Sequence, residues 1–195
     1  MLVGPRVYLR ALHARDFEAW RNVRLRNRGW VDPWEPRPDP GAANPVHDRD
    51  AFRARCGAWE RQRHFGTAHG FGMFLREGPF VGEVSIGNVQ RGPFQSAYIG
   101  YWVDQEHAGR GLVPEGVALG LQYAFETLGL HRIEIAIVPR NQASRRVVEK
   151  LGLREEGTAR GFLQIGGIYE DHVRYGLTAE EWEARRADLV TKFLT

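Results

Sequence analysis

Apolar residues recur at every second position in some stretches of this chain and at every third or fourth in others, and the two periods divide it into elements. Arg6-Val7-Tyr8-Leu9-Arg10 alternates polar and apolar, as a half-buried strand does. Phe17, Trp20, Val23 and Leu25 predict a helix from Arg15 to about Arg28. The run from Val31 to Val46 holds half of the ten prolines, which predicts neither helix nor central strand there. A loop of that length inside a domain is usually functional or mobile. Asp48 or Asp50 then caps a second helix reaching about Arg63, with Phe52, Cys56 and Trp59 at helical spacing.

Strands follow at Gly70–Arg76 and Pro79–Asn88, joined by the tight turn Glu77-Gly78. The next, Ala97–Val103, is apolar on both faces and is expected in the middle of a covered sheet. A helix from Pro114 to about Leu128, a strand Arg132–Val138 and a helix Asn141–Leu151 come next, the last closed by Gly152. Two strands, about Arg154–Gln164 and Ile168–Gly176, turn at Gly166-Gly167. The capping box from Thr178 to Glu181 opens a final helix. The expectation is one α/β domain over residues 1–195, a mixed seven-stranded sheet with helices on both faces. Its core spans 7–177 and a C-terminal helix spans 178–195.

Composition narrows the function. Twenty-seven basic against 24 acidic residues leave a net charge of only +3, with arginine scattered rather than clustered, so a nucleic-acid partner is not expected. No stretch approaches the roughly 20 apolar residues of a membrane span, and no signal-peptide pattern opens the chain. The single cysteine, Cys56, excludes an internal disulfide framework and a cysteine-rich metal site. The expected protein is cytoplasmic and metal-free, a monomer or a homodimer.

The candidate chemistry begins after the buried strand, at Ala108-Gly109-Arg110-Gly111-Leu112-Val113. Two glycines one residue apart let the backbone bend sharply, turn its amides inward and admit a bulky anion at a helix N-terminus. The turn lacks the Gly-Lys-Ser/Thr ending of a P-loop and the third glycine of a dinucleotide fingerprint. After the next strand comes Asn141-Gln142-Ala143-Ser144-Arg145-Arg146, and later Gly166-Gly167-Ile168-Tyr169-Glu170-Asp171-His172-Val173.

Together these segments resemble the GNAT family of acyl-CoA-dependent N-acetyltransferases, in the branch that includes the RimJ/RimL ribosomal-protein acetyltransferases. The turn departs from the family pattern Gln/Arg-x-x-Gly-x-Gly/Ala at its ends, Ala108 and Val113. The resemblance implies an acetyl-CoA donor whose pyrophosphate sits on residues 108–113. It implies a pantetheine arm alongside Tyr101-Trp102-Val103 and an amine acceptor. A protein N-terminus, a small amine such as a polyamine, and a non-catalytic acyl-CoA sensor are the readings carried forward.

Two readings are open for Asn141, a side-chain contact to the cofactor arm and a helix N-cap. Ser144 is the candidate to protonate the leaving sulfur, because Val148 stands where many relatives place a tyrosine. Arg146 is a candidate phosphate contact or a solvated arginine. Strand alternation puts Val81, Glu83 and Ser85 on one face and Phe80, Gly82, Val84 and Ile86 on the other, making Glu83 the candidate base. Asp171 and His172 face opposite sides of their strand; two readings are open, that one of them lines the acceptor site and that His172 is a satisfied structural histidine. Trp30, Trp34 and Glu35 are expected around the acceptor or as anchors of the proline-rich loop.

Overall fold

The computed structural model describes residues 1–37 and 41–195. Its strands are β1 (Leu2–Val3), β2 (Val7–Arg10), β3 (His69–Leu75), β4 (Phe80–Gln90), β5 (Ser96–Val103), β6 (Arg132–Ile137), β7 (Arg154–Ile165) and β8 (Ile168–Thr178). Its α-helices are α1 (Phe17–Arg26), α2 (Arg28–Val31), α3 (Arg49–His64), α4 (Leu112–Gln122), α5 (Gln142–Leu151) and α6 (Ala179–Phe193). The strands form one sheet in the order β1-β2-β3-β4-β5-β6-β8-β7, with eight strands rather than the seven expected. The extra strand, β1, is two residues long and pairs Leu2 with Leu9 and Val3 with Tyr8. Two residues are too few to show a period.

One face of the sheet is covered by α4, α5 and α6, whose Val117, Leu121, Val148, Leu151, Trp182 and Leu189 pack with Leu9, Val84, Ile99 and Ile133. The other face carries a smaller core of Phe17, Trp20, Val23 and Phe52 from α1 and α3 against Phe74 and Phe80. Pairing between β5 and β6 is parallel, and β5 lies near the middle of the sheet as expected, but only its Ala97, Ile99 and Val103 face is buried, while Gly100 on the other face is exposed.

Three local expectations are corrected. The alternation assigned to β4 slips at its start, because Met73 pairs with Gly82 and its neighbour Phe74 pairs with Phe80. Val81 is therefore a bulge residue. It joins the α4-side core with Val84 and Ile86, while Phe80 joins the α1-side core next to Trp102. The expected first helix is broken at Asn27, whose side chain is committed elsewhere. Its Nδ2 donates to the Val23 carbonyl and to Asp104 Oδ1, and its Oδ1 accepts from the Gln105 amide. The proline-rich run is partly helical, since α2 ends at Val31 and Asp32–Trp34 forms a 3-10 turn. Pro33 fits there because a first turn has no intrahelical use for its missing N–H. Residues 38–40 of that run lie outside the described residues.

Asp104 ties α1 to the end of β5. It is fully buried, pairs with Arg26 and accepts from Asn27. Burial by itself pushes the carboxyl pKa up, but the hydrogen bonds from Arg26 and Asn27 outweigh it and hold the value at about 2. The folded value lies below the unfolded 3.8, so this stabilisation is complete above the unfolded value and is lost as pH falls through the folded one. Asp104→Asn is expected to be less stable than wild type at neutral pH. Urea titrations at stepwise lower pH should show a shallower loss of stability for the variant below about pH 4. Parallel curves would remove Asp104 from the acid response.

Candidate active site

Strands β5 and β6 pair only from Ser96 to Tyr98 opposite Arg132 to Glu134. Beyond that they part, and a cleft of about 730 Å³ opens between Ile99–Val103 and Ile135–Val138. Tyr101 props the gap open, its hydroxyl donating to the Ser144 carbonyl on α5 at 3.0 Å. Burial pushes the Tyr101 phenol well above its ordinary range, so it is a neutral strut. On the opposite side of β5, Gly82 lets β4 approach closely, since a Cβ there would stand 2.2 Å from the Trp102 carbonyl oxygen.

The glycine turn forms one end of the cleft. Gly109 and Gly111 have φ of 77° and 81°, the left-handed region that glycine occupies without strain. Helix α4 starts at Leu112 with Gly111 as its N-cap, two residues before the expected Pro114. Among the described residues, none of the amides of Gly109, Arg110, Gly111, Leu112 and Val113 donates to the protein. Their carbonyl sides are pinned from outside: Arg6 donates to the carbonyls of Arg110 (2.8 Å) and Gly111 (3.0 Å). Arg6 is held in turn by Glu115, fully buried in α4, which also accepts from the backbone amides of Arg6 and Val7. Ala108, Gly109, Gly111, Leu112 and Val113 line the cleft, whereas Arg110 is exposed and outside its lining. The buried side chains of Leu112 and Val113 belong to the core, so these residues line the cleft through their backbone.

Helix α5 forms the second wall. The Asn141 side chain accepts from the Ser144 amide at 3.1 Å, which is N-cap geometry, and Asn141 is buried at the cleft. Ser144 and Arg146 line the cleft, and Arg146 is exposed at its rim. Lys150 lines it one helical turn beyond Arg146, a basic pair that the i,i+4 spacing on α5 displays once the helix is recognised.

Glu83 and Ser85 face the cleft from β4, on the side of the sheet that carries α1 and α3. The Glu83 carboxylate is a hub. Oε1 accepts from Trp20 Nε1 (2.7 Å), and Oε2 accepts from Arg55 (2.6 Å) and Trp102 Nε1 (3.3 Å). Trp30, Trp34 and Glu35 also line the cleft and at the same time anchor their segment. Trp30 Nε1 donates to the Val103 carbonyl, Arg24 holds Glu35 bidentately, and Arg140 lies 5.2 Å over the Trp34 ring. Of the two residues considered on β8, His172 lines the cleft and is buried. Asp171 is exposed and accepts from the Gly161 amide.

Residues that sequence reasoning missed are Arg6, Glu115, Arg55 and Lys150. A lone acid inside the apolar segment Leu112–Leu121 was the one available signal for Glu115. Nothing local pointed to Arg6, which lies more than a hundred residues away. No cluster of three or more potential metal-ligating His, Cys, Asp or Glu occurs among the described residues.

Residues 6–154 match the family described as "Acetyltransferase (GNAT) domain". The chain belongs to the GNAT family. Like its relatives, this GNAT protein is an acyl-CoA-dependent acetyltransferase with a single mixed α/β domain. It is similar to the ribosomal protein uS5-alanine N-acetyltransferase of Escherichia coli, with 34% identity over 188 residues, 95% of this chain and 94% of that one. Its fold matches that of Mycobacterium smegmatis RimJ in complex with CoA-disulfide, with TM-score 0.86 and 34% identity, covering 95% of this chain and 88% of that one. It also matches the ribosomal-protein-S5-alanine acetyltransferase of Vibrio fischeri, with TM-score 0.80 and 29% identity, covering 90% and 94%. Among the described residues, no helix of this GNAT protein is long and apolar enough to cross a membrane.

Proposed function

We propose that this GNAT protein transfers the acetyl group of acetyl-CoA to the free N-terminal amine of a protein, of the ribosomal-protein type. The observation that carries the donor side is the row of five unpaired amides beside the parted strands. Such a row, at a helix N-terminus and braced by Arg6, suits a pyrophosphate. Arg146 and Lys150 at the rim supply cations for the remaining phosphate. The edge of β5 at Ile99–Tyr101, which β6 leaves unpaired, suits an extended amide-bearing arm that would add to it as a strand does. The acceptor side rests on the uS5-alanine and S5-alanine acetyltransferases among the similar proteins.

In this reading Ser144, in the first turn of α5, supplies a hydroxyl to the departing sulfur, and Asn141 holds that turn in place. Glu83 fixes the wall of the acceptor side through Trp20, Trp102 and Arg55. The chemistry is attack of an amine on a thioester, for which the cleft contributes orientation and proton handling.

The test is free-thiol release from acetyl-CoA with peptides bearing N-terminal alanine or serine, with spermidine, and with an aminoglycoside. Release stimulated by the alanine peptide alone supports the proposal. A preference for spermidine moves the assignment to small amines, a reading that the Trp30, Trp34 and Trp102 lining favours because aromatic faces hold compact cations. Release with none of them leaves donor binding without turnover. Ser144→Ala is expected to lower kcat about 100-fold with donor affinity unchanged in calorimetry, the order of one lost proton-handling contact. Equal turnover would remove Ser144 from the reaction.

A further inference from the structure

We propose that His172 is the proton acceptor for the amine. The imidazole lies on β8, buried, in the wall of the cleft that faces β4 and β5. Its Nδ1 is 3.0 Å from the Glu170 carbonyl oxygen. A carbonyl only accepts, so Nδ1 carries the hydrogen and the neutral ring holds its lone pair on Nε2. Nε2 has no hydrogen-bond partner among the described residues. Phe162 meets the ring at 5.8 Å, inclined at 68°, and fixes its plane. A buried imidazole in the wall of a reaction cleft, with one nitrogen tethered and the other unpartnered, is the arrangement a general base requires.

Glu83 is placed differently. Its two oxygens already receive three N–H donors, one of them from Arg55, and protonating it would leave that arginine facing a neutral group. The charges around His172 are themselves paired. Glu170 on β8 is matched by Arg140, Arg174 on β8 by Glu134 on β6, and Glu83 across the cleft by Arg55 on α3. None of these partners competes for Nε2.

The inference rests on the acetyl-transfer reading of the cleft. One proton of the ammonium moves to His172 Nε2, which frees the nitrogen lone pair. That pair forms the C–N bond to the acetyl carbon, and the C–S pair leaves with sulfur. The second nitrogen proton passes to the thiolate on the Ser144 side, and His172 returns its proton to solvent.

The experiment compares wild type with His172→Gln and His172→Asn on acetyl-CoA and the alanine peptide, with donor affinity followed by calorimetry. Turnover at pH 7 is expected to fall about 100-fold with donor affinity within about twofold, the usual size of a lost general base. Between about pH 6.5 and 7.5, below the α-amino pKa of about 7.7–8.0, the deficit should shrink about tenfold, because the variants depend on amine that is already free. A deficit that is constant with pH marks a structural role and overturns the assignment, as does unchanged turnover. Nitrogen-15 spectra of histidine-labelled wild type provide a reading that needs no variant: the neutral ring of His172 should carry its hydrogen on Nδ1 and not on Nε2. A proton on Nε2 with Nδ1 bare overturns the proposal. Wild type that turns over no amine overturns the acetyl-transfer reading, and this assignment with it.

Discussion

Gly111→Val should weaken acetyl-CoA binding by about 100-fold or more, equivalent to roughly 2.7 kcal/mol. Two effects act together. Gly111 has φ of 81°, where a β-branched residue is a steric outlier costing more than the roughly 1–2 kcal/mol of an ordinary side chain. A Cβ there would also stand 3.3 Å from the Arg6 guanidinium, tighter than an easy contact, on the side that braces the turn. The chain escapes both by rotating the 110–112 backbone, and that swings amides out of the cleft. Because the turn is on the surface and Gly111 is not itself core, the fold should survive and the loss should appear in calorimetric affinity. An affinity within threefold of wild type would show that these amides do not hold the donor.

Glu115→Ala should cost about 3 kcal/mol of stability. The Glu115 carboxylate is fully buried and accepts from the amides of Arg6 and Val7 and from Arg6 Nε, at 2.8, 2.9 and 2.8 Å. Arg6 is half exposed, so its charge finds water when Glu115 is lost; the Val7 amide is enclosed and does not. An unsatisfied buried donor costs about 1–3 kcal/mol, and the emptied side-chain volume adds to it. For a chain of this length, that corresponds to a fall in Tm of roughly 6–12 °C. Glu115→Gln keeps the volume but turns an N–H₂ toward these donors, so it should recover only part of the loss. A melting temperature for the alanine variant within a degree of wild type would remove Glu115 from the keystone role between β2 and α4.

The elements that were legible are those whose own residues pay their local costs. Thr178 and Glu181 cap α6 reciprocally, Asp48 caps α3, and Gly152 closes α5 at φ 64°. These need no distant partner, and the glycine turn belongs with them because left-handed φ is a property of glycine itself. The elements that were misjudged depend on partners remote in the chain. Asn27 breaks the first helix because its side chain is engaged by Asp104 and Gln105, 77 and 78 residues on. Val81 bulges because of how β3 lies against β4.

The candidate site divides in the same way. The glycine turn and the segment from Asn141 to Ser144 could be placed from order and spacing, because a strand, a glycine turn and a helix N-terminus are contiguous, while the N-cap role of Asn141 was one of two open readings. Arg6 behind the turn, Arg55 on Glu83, and the tether that leaves His172 Nε2 open could not.

By itself, the sequence determined that a helix starts behind the Gly109–Gly111 turn and that β5 lies inside the sheet. It also carried the resemblance that gave the family. Only the tertiary structure decided that β5 and β6 part after three paired residues, and that Arg6, held by Glu115, pins the carbonyls of Arg110 and Gly111 at the end of the gap. It also decided that Glu83 is engaged by three donors while the His172 ring is tethered through Nδ1 to the Glu170 carbonyl. Backbone conformation is governed by neighbours along the chain, whereas the state of a hydrogen-bonding group is governed by neighbours in space, and folding alone brings these together.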